Sequence, residues 1–326
     1  MRRACIDIGS NTTRLLVAET DGAGLVTIHE ERVFTRIGAA LTEDRTIPET
    51  KRREVAEIVR AQIDAARALG AGEIRGVATA AIRDAADGAE FVRAVSEQTG
   101  LELSVLSDRE EARLAFRGAA GTFAGAPPEP LGVLDVGGGS SEVVVGHAPG
   151  RIRWWRSLPI GSGSIAHRHL HGDPPADGEI RAARAEVAAV VRELDPPPVA
   201  GAVAVGGSAT SLRRVTGPTL DGPSLERALV VLTAEPAAAV AARHGIDAER
   251  ARLLPAGILI LRALGERLGA PMSVGRGGIR EGVLLDAEDG GGGGIREGVS
   301  LDAEDGGGGA RDAADGGHAP GEGLAT

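Results

Sequence analysis

The 326 residues include one cysteine, one lysine, two methionines, two tryptophans, four phenylalanines and no tyrosine. A lone Cys5 excludes an internal disulfide and, set in an apolar stretch, fits a reducing cytosol. Aromatic residues are only 2% of the chain while 42% is hydrophobic, so the core has to be aliphatic. With Lys51 alone, arginine supplies the positive charge, and the bias toward Ala, Arg and Gly reads as compositional drift. No apolar run approaches the roughly 20 residues of a membrane span. Met1-Arg-Arg leads straight into an apolar stretch holding Asp7, which is not a signal-peptide pattern. A soluble, cytoplasmic protein is expected. The net charge of −10 speaks against a binder of polyanions until it is divided. Ten acids against two arginines lie from Asp286 onward, which leaves residues 1–285 near −2.

What is present is concentrated in Leu131-Gly-Val-Leu-Asp-Val-Gly-Gly-Gly-Ser-Ser-Glu-Val-Val-Val145. Apolar, β-branched residues flank a glycine-rich tetrad, the pattern of strand, tight turn, strand. Amides at Gly137, Gly138 and Gly139, with the Ser140 and Ser141 hydroxyls, can cradle a phosphate. Asp135 ends a buried strand beside that turn, a costly place for a carboxylate unless it holds a metal or orients a water. A hairpin whose glycine tip merely turns is the competing reading. The N-terminus repeats the grammar in Cys5-Ile-Asp-Ile-Gly-Ser-Asn-Thr-Thr-Arg-Leu-Leu-Val17, where Asp7 aligns with Asp135, Gly9 with Gly137 and Val17 with Val145. Two copies 128 residues apart predict two similar α/β domains facing each other across a cleft, and the length suffices for both. This is the arrangement of the actin, sugar-kinase and heat-shock-ATPase (ASKHA, ribonuclease H-like) superfamily. The expected division is 1–124 and 125–289, with Gly121–Pro130 as the crossing.

Between the hairpins, Leu25–Val33 reads as a third strand, Pro48–Leu69 as a helix stopped by Gly70, and Ile74–Val77 as a strand. Ala78-Thr-Ala-Ala-Ile-Arg-Asp84 is a strand-to-helix junction, where Arg83 either clamps a phosphate or lies on a solvated helix face. Ser107 and Glu110 form a capping-box pattern, which leaves Glu111 on the first turn without a capping duty and makes it a candidate general base. Arg151–Arg156 reads as a strand with Trp154 and Trp155. Ser157–Ile165 opens a helix and offers anion-binding amides. His167, His169 and His171 lack a local Cys or Glu pair and read as exposed side chains rather than zinc ligands. Beyond a helix over Ala176–Leu194 and a strand over Ala200–Val205, Gly206-Gly-Ser-Ala-Thr-Ser211 makes a third glycine turn, with Gly207 and Ser208 as anion contacts. Helices at Leu225–Leu232, Pro236–Arg243 and Leu253–Leu268, a strand at Met272–Val274 and a glycine-led helix at Gly277–Val283 follow.

The tail differs in kind. Gly278–Asp289 recurs as Gly294–Asp305, spaced by glycine runs with a 16-residue period. Too few apolar residues remain there to offset ordering, so residues 290–326 are expected to be disordered.

Six ordered motifs, Asp7–Thr12, Ala78–Asp84, Glu110–Leu114, Asp135–Glu142, Gly206–Thr210 and Gly278–Gly282, resemble the exopolyphosphatase/guanosine pentaphosphate phosphatase (Ppx/GppA) family over residues 3–286. The likeness is to its short, two-domain bacterial type. The resemblance implies Mg²⁺-dependent hydrolysis of the terminal phosphoanhydride of polyphosphate, or of the 5′-γ-phosphate of pppGpp. Carried over by position, Glu111 activates the attacking water, while Asp7, Asp135 and Glu142 hold the metal or place the water. Arg83, Gly9 with Ser10, Asn11 and Thr12, and Gly137–Ser140 grip phosphate. Where the family carries a Thr-Glu pair, this chain has Ser164-Ile-Ala-His-Arg168, and no role is carried to it. The implied partner is polyphosphate or pppGpp, with no nucleic acid or membrane; a homodimer is compatible with the resemblance. A non-catalytic sensor of (p)ppGpp or polyphosphate is the rival reading. The three acids Glu111, Asp135 and Glu142 speak against it, because a pure binder of anions has no use for a water-activating carboxylate. A kinase would need a purine pocket and an acceptor surface, for which the sequence gives no candidate. Arg83, Arg109, Arg113 and Arg276 are candidates for a salt-sensitive arginine groove.

Overall fold

The computed structural model describes residues 1–20 and 24–288. Strands β1 (Arg2–Ile8), β2 (Thr12–Thr20) and β3 (Leu25–Phe34) form an antiparallel meander, followed by helices α1 (Ile37–Ala40) and α2 (Glu49–Ala68). β4 (Glu73–Ala78), α3 (Ala80–Arg83), α4 (Gly88–Thr99) and β5 (Leu103–Val105) complete a five-stranded sheet of order β3-β2-β1-β4-β5, in which β1, β4 and β5 run parallel. Helix α5 (Asp108–Gly121) then leads to the second meander, β6 (Leu131–Val136), β7 (Ser141–His147) and β8 (Arg151–Leu158). Helices α6 (Ser162–His169) and α7 (Asp177–Val191) precede β9 (Gly201–Val205). Helix α8 (Gly206–Thr216), β10 (Thr219–Leu220), α9 (Gly222–Thr233), α10 (Ala237–His244), α11 (Ala248–Leu268), β11 (Met272–Val274) and α12 (Ile279–Glu288) close the described chain. The second sheet has the order β10-β11-β9-β6-β7-β8, the first sheet's plan with β10 added at one edge.

The repeat read from the sequence runs deeper than the two hairpins. Asp7 pairs with Arg14 on β2 and Val77 on β4; Asp135 pairs with Glu142 on β7 and Val205 on β9, each position displaced by the same 128 residues. A bulge interrupts β2–β3 between Val17 and Ala18 and β7–β8 between Val145 and Gly146, again at equivalent places. Both sheets have the actin-like plan, and a cleft opens between them.

Aliphatic side chains fill the core, as the scarcity of aromatics requires. β6 is buried at all six positions, so it reads as a continuous apolar run broken only by Asp135. On α2, Val55, Val59, Ile63 and Ala66 fall on one face and pack on the first sheet. Two helices tie the halves together. α5 buries Ala112, Phe116, Ala119 and Ala120 against Leu131, Val133 and Val144 of the second sheet. α12 lays Val283 and Leu284 on Cys5, Leu16 and Leu114 of the first half. The two helices also meet each other, where glycines allow backbone-to-backbone approach: a Cβ at Gly118 would lie 1.9 Å from the Gly278 carbonyl oxygen.

Three differences from the sequence reading have local causes. Helix α11 starts at Ala248, not Leu253, because the Asp247 side chain caps it by accepting the Arg250 amide, and Pro255 is carried inside it. Helix α4, with Phe91 and Val95 buried, was not anticipated. Two amides at the start of α6, expected to be free for an anion, are engaged: Ser162 and Ser164 donate to the Gly137 and Gly138 carbonyls, so this helix end buttresses the glycine loop. The second copy of the repeated segment and the expected tail lie outside the described residues. Among the described residues, no helix is long and apolar enough to cross a membrane.

Candidate active site

Each meander turns through a loop closed by the same hydrogen bond. The Gly9 amide donates to the Thr12 carbonyl at 3.0 Å, and the Gly137 amide donates to the Ser140 carbonyl at 3.0 Å. The loops pack tip to tip. A Cβ on Gly138 would lie 2.8 Å from the Asn11 Cβ, and one on Gly139 would lie 2.4 Å from the Ser10 Oγ. Glycine is therefore required for this closeness, and the two loops enclose a cleft of about 150 Å³. The third glycine turn forms another wall. Gly206 has φ +84°, and a side chain there would strike the Asp135 carboxylate.

Six acids line this cleft, and the four singled out by the sequence, Asp7, Glu111, Asp135 and Glu142, are among them. The capping box Ser107–Glu110 fixes the first turn of α5 and so aims the neighbouring Glu111 inward, where it is 2% exposed. Arg83 binds Glu111 directly and also contacts Asp108 and the Leu106 carbonyl. Ser157 donates to Glu142 at 3.0 Å. Crowding shifts every one of these four acids. Burial and then the Glu142 charge push the Glu111 carboxyl well above the usual carboxylate range, against the pull of Arg83. Glu142 is pushed up to about 8 by burial and by Asp135. Asp135 is pushed up to about 6, chiefly by burial, which outweighs the opposing Arg14 charge. Burial likewise raises Asp7, with Arg14 opposing.

Three cleft arginines escaped sequence reasoning. Arg14 is pushed down to about 10 by burial and by Arg280, and its Nε has no hydrogen-bond partner. Arg250 is pushed down to about 9 by burial and by Arg32 and Arg14; its Nε is also unpartnered, and its guanidinium faces the Phe34 ring at 5.6 Å. Arg280 is anchored to Glu30 at 2.7 Å and to the Leu15 carbonyl. Arg14 was legible as the position matching Glu142 in the repeat; Arg250 and Arg280 lie on late helices that only the fold brings to the cleft.

The structure gathers Asp7, Gly9, Ser10, Asn11, Thr12, Gly137, Gly138, Gly139, Ser140 and Gly207 around the same space. Arg83 lines a neighbouring cavity and spends its guanidinium on Glu111 and Asp108. Ser208 is fully buried with its hydroxyl unpartnered, and a Cβ on Gly257 of α11 would lie 2.8 Å from it, so it sits behind the turn rather than in the cleft. Arg113 is paired with Asp286 at 2.6 Å; of the expected arginine groove, Arg276 lines the cleft. His169 contacts Glu186. Among the described residues, no three His, Cys, Asp or Glu side chains converge closely enough to cage a metal ion, so Asp7, Asp135 and Glu142 do not form a closed three-ligand site. The unpartnered Asp7 Oδ1 and the raised carboxyls fit a different mode, in which a hard cation is shared with substrate oxygens and water.

Residues 16–290 match the Ppx/GppA phosphatase family. The chain belongs to this family. It is 34% identical over 317 residues to a Streptomyces coelicolor protein, covering 89% of this chain and 91% of that one. It is 28% identical over 305 residues to exopolyphosphatase 1 of Mycobacterium tuberculosis, covering 87% and 88%. The crystal structure of the Aquifex aeolicus Ppx/GppA family member superposes with a TM-score of 0.74 at 27% identity, over 88% of this chain and 97% of that one. The actin-like fold is thus that of this family, and the protein is a phosphatase.

Proposed function

We propose that the protein is an exopolyphosphatase, removing the terminal phosphate of inorganic polyphosphate by attack of water in the cleft. The observation that carries the reading is Glu111: a buried carboxylate held by Arg83 at the floor of two opposed phosphate loops. Similarity to exopolyphosphatase 1 supports this substrate class. In the proposed reaction, the amides of Ser10, Asn11, Gly138 and Gly139 hold the terminal phosphoryl oxygens, and Glu111 accepts the proton of the attacking water. Asp135 and Glu142 orient that water. The cleft arginines Arg14 and Arg250 take up negative charge as it builds on the leaving phosphate.

Mg²⁺ belongs to the proposal, because six cleft acids face four arginines and a polyanion would otherwise be repelled. Asp7 and Asp135 are the residues that would hold it, and it would supply charge neutralisation across the phosphate oxygens. The 5′-γ-phosphate of pppGpp is the alternative substrate, since it presents the same terminal anhydride. The reduced, buried Cys5 agrees with a cytoplasmic setting.

The test is orthophosphate release from long-chain polyphosphate and from pppGpp, with Mg²⁺ and with EDTA, alongside Glu111→Gln. The expected result is metal-dependent release from polyphosphate, reduced about 10²- to 10⁴-fold in the variant, the usual contribution of a general base. Tight binding of either anion with no release would replace the enzyme reading with the sensor.

A further inference from the structure

The repeated segment of the tail has no part in the proposed reaction, yet its first copy is α12, the helix that packs on both halves. Gly277–Asp289 and Gly293–Asp305 are identical at every position but one, where Leu284 is matched by Ser300.

The seat of α12 is exacting. A Cβ on Gly277 would lie 2.7 Å from the Gly118 carbonyl oxygen, and one on Gly282 would lie 2.1 Å from that of Leu114. Gly293 and Gly298 stand at the matching places. Arg280 reaches Glu30 at 2.7 Å and the Leu15 carbonyl at 3.1 Å, Glu281 accepts the Gly278 amide at 2.7 Å, and Asp286 pairs with Arg113 at 2.6 Å. Arg296, Glu297 and Asp302 repeat these three. Val283 and Leu284 are buried against Cys5, Leu16 and Leu114; Val299 repeats the first, and Ser300 lacks the second.

We infer that residues 293–305 are a second occupant for the α12 seat within the same chain. They enter it when the first copy is withdrawn, and Arg296 and Glu297 then take the places of Arg280 and Glu281 on the cleft wall. Leu284 decides which copy is seated. Exchanging a fully buried leucine for a smaller side chain lowers occupancy about 10²- to 10³-fold. The link matters less. Gly275 and Arg276 join β11 to Gly277, whereas residues 275–292 would join it to Gly293, and a loop about nine times longer closes about thirtyfold less often. Both effects seat the first copy in the native chain, and moving the leucine to the second copy reverses the choice.

The test makes that exchange in the full chain, Leu284→Ser with Ser300→Leu, and compares it with Leu284→Ser alone. The single variant should melt roughly 5–10 °C below wild type, and the exchange should recover roughly a quarter to a half of that loss. Limited trypsin digestion, read by mass, identifies the seated copy. Arg280 is 5% exposed and held by Glu30, so the bond after it resists in the wild type. In the exchanged chain that bond is expected to be cut, and the bond after Arg296 to resist. Gly298→Leu, which sets a side chain against the Leu114 carbonyl, should cancel both effects when added to the exchange. An exchanged chain that melts like Leu284→Ser alone and still protects Arg280 overturns the inference, as does a recovery that requires two chains to associate. Should Leu284→Ser alone fail to fold, the exchange still decides: a folded chain supports the second occupant, and an unfolded one overturns it.

Discussion

The crossing of α5 and α12 makes the sharpest prediction about how the site is held. Gly282 sits against α5 so closely that an added Cβ would lie 2.1 Å from the Leu114 carbonyl oxygen. Carbon and carbonyl oxygen approach only to about 3.3 Å, so the helices would have to part by about 1 Å. The obstructing atom is backbone, and no rotamer change can relieve it. In an open helix, Gly→Ala would gain about 1 kcal/mol from propensity. Here the overpacking, at the upper end of about 1–3 kcal/mol, outweighs that gain, and the contact of Val283 and Leu284 with Cys5 and Leu16 loosens in addition. Gly282→Ala should therefore cost about 2–3 kcal/mol net and lower Tm by roughly 5–10 °C. Because α5 carries Glu111, kcat should fall even where the variant is fully folded. Gly72→Ala, where nothing lies within 4 Å of the added Cβ, is the control and should melt within about 1–2 °C of wild type. A Gly282→Ala protein that melts at or above the wild-type temperature would refute the close helix crossing.

Three further outcomes are expected. Arg83→Gln removes the cation beside Glu111, so its carboxyl rises further and the acid limb of the pH–rate profile moves to higher pH; an unmoved limb would detach Arg83 from the base. Glu142 has a folded-state value raised from 4.5 to about 8, so folding favours its protonated form; in EDTA, stability should fall by a few kcal/mol as pH rises through that window, and Glu142→Gln should flatten the slope in urea titrations. Phe116 is fully buried between α5 and the second sheet, and Phe116→Ala should cost about 3–5 kcal/mol in chemical denaturation; a loss under 1 kcal/mol would place that ring outside the core.

Much of this molecule is legible locally. The hairpins around Asp7 and Asp135, the cap that frees Glu111 and most strand positions follow from periods of apolar residues and from glycine. Those are short-range signals, and the strand register then carries the 128-residue offset into β4 and β9. What sequence did not supply depends on closure. Arg250 enters the cleft because Asp247 starts α11 earlier than its apolar stripe suggests, and Arg280 because α12 returns to the first half. The fate of Arg83 is of the same kind. An arginine at a strand-to-helix junction suits a phosphate, yet the nearest anions once the chain folds are Glu111 and Asp108.

On the proposed reading, the repeat also explains how one cleft attracts a phosphate chain and holds a base. Position 14 and position 142 are equivalent in register, each opposite its strand-end aspartate, but one is arginine and the other glutamate. In the first half, Asp7 therefore faces a cation, which opposes the rise of its carboxyl. In the second half, Asp135 faces a carboxylate, and burial together with the Asp135 charge pushes Glu142 up to about 8. A duplicated scaffold supplies two phosphate loops, and a change of charge sign at one matched position makes the halves unlike. In the proposed reaction, the first half offers a guanidinium to the oxygens of an anion, and the second offers carboxyl groups to a water. Hydrolysis of a phosphoanhydride needs both, on opposite sides of the same phosphorus.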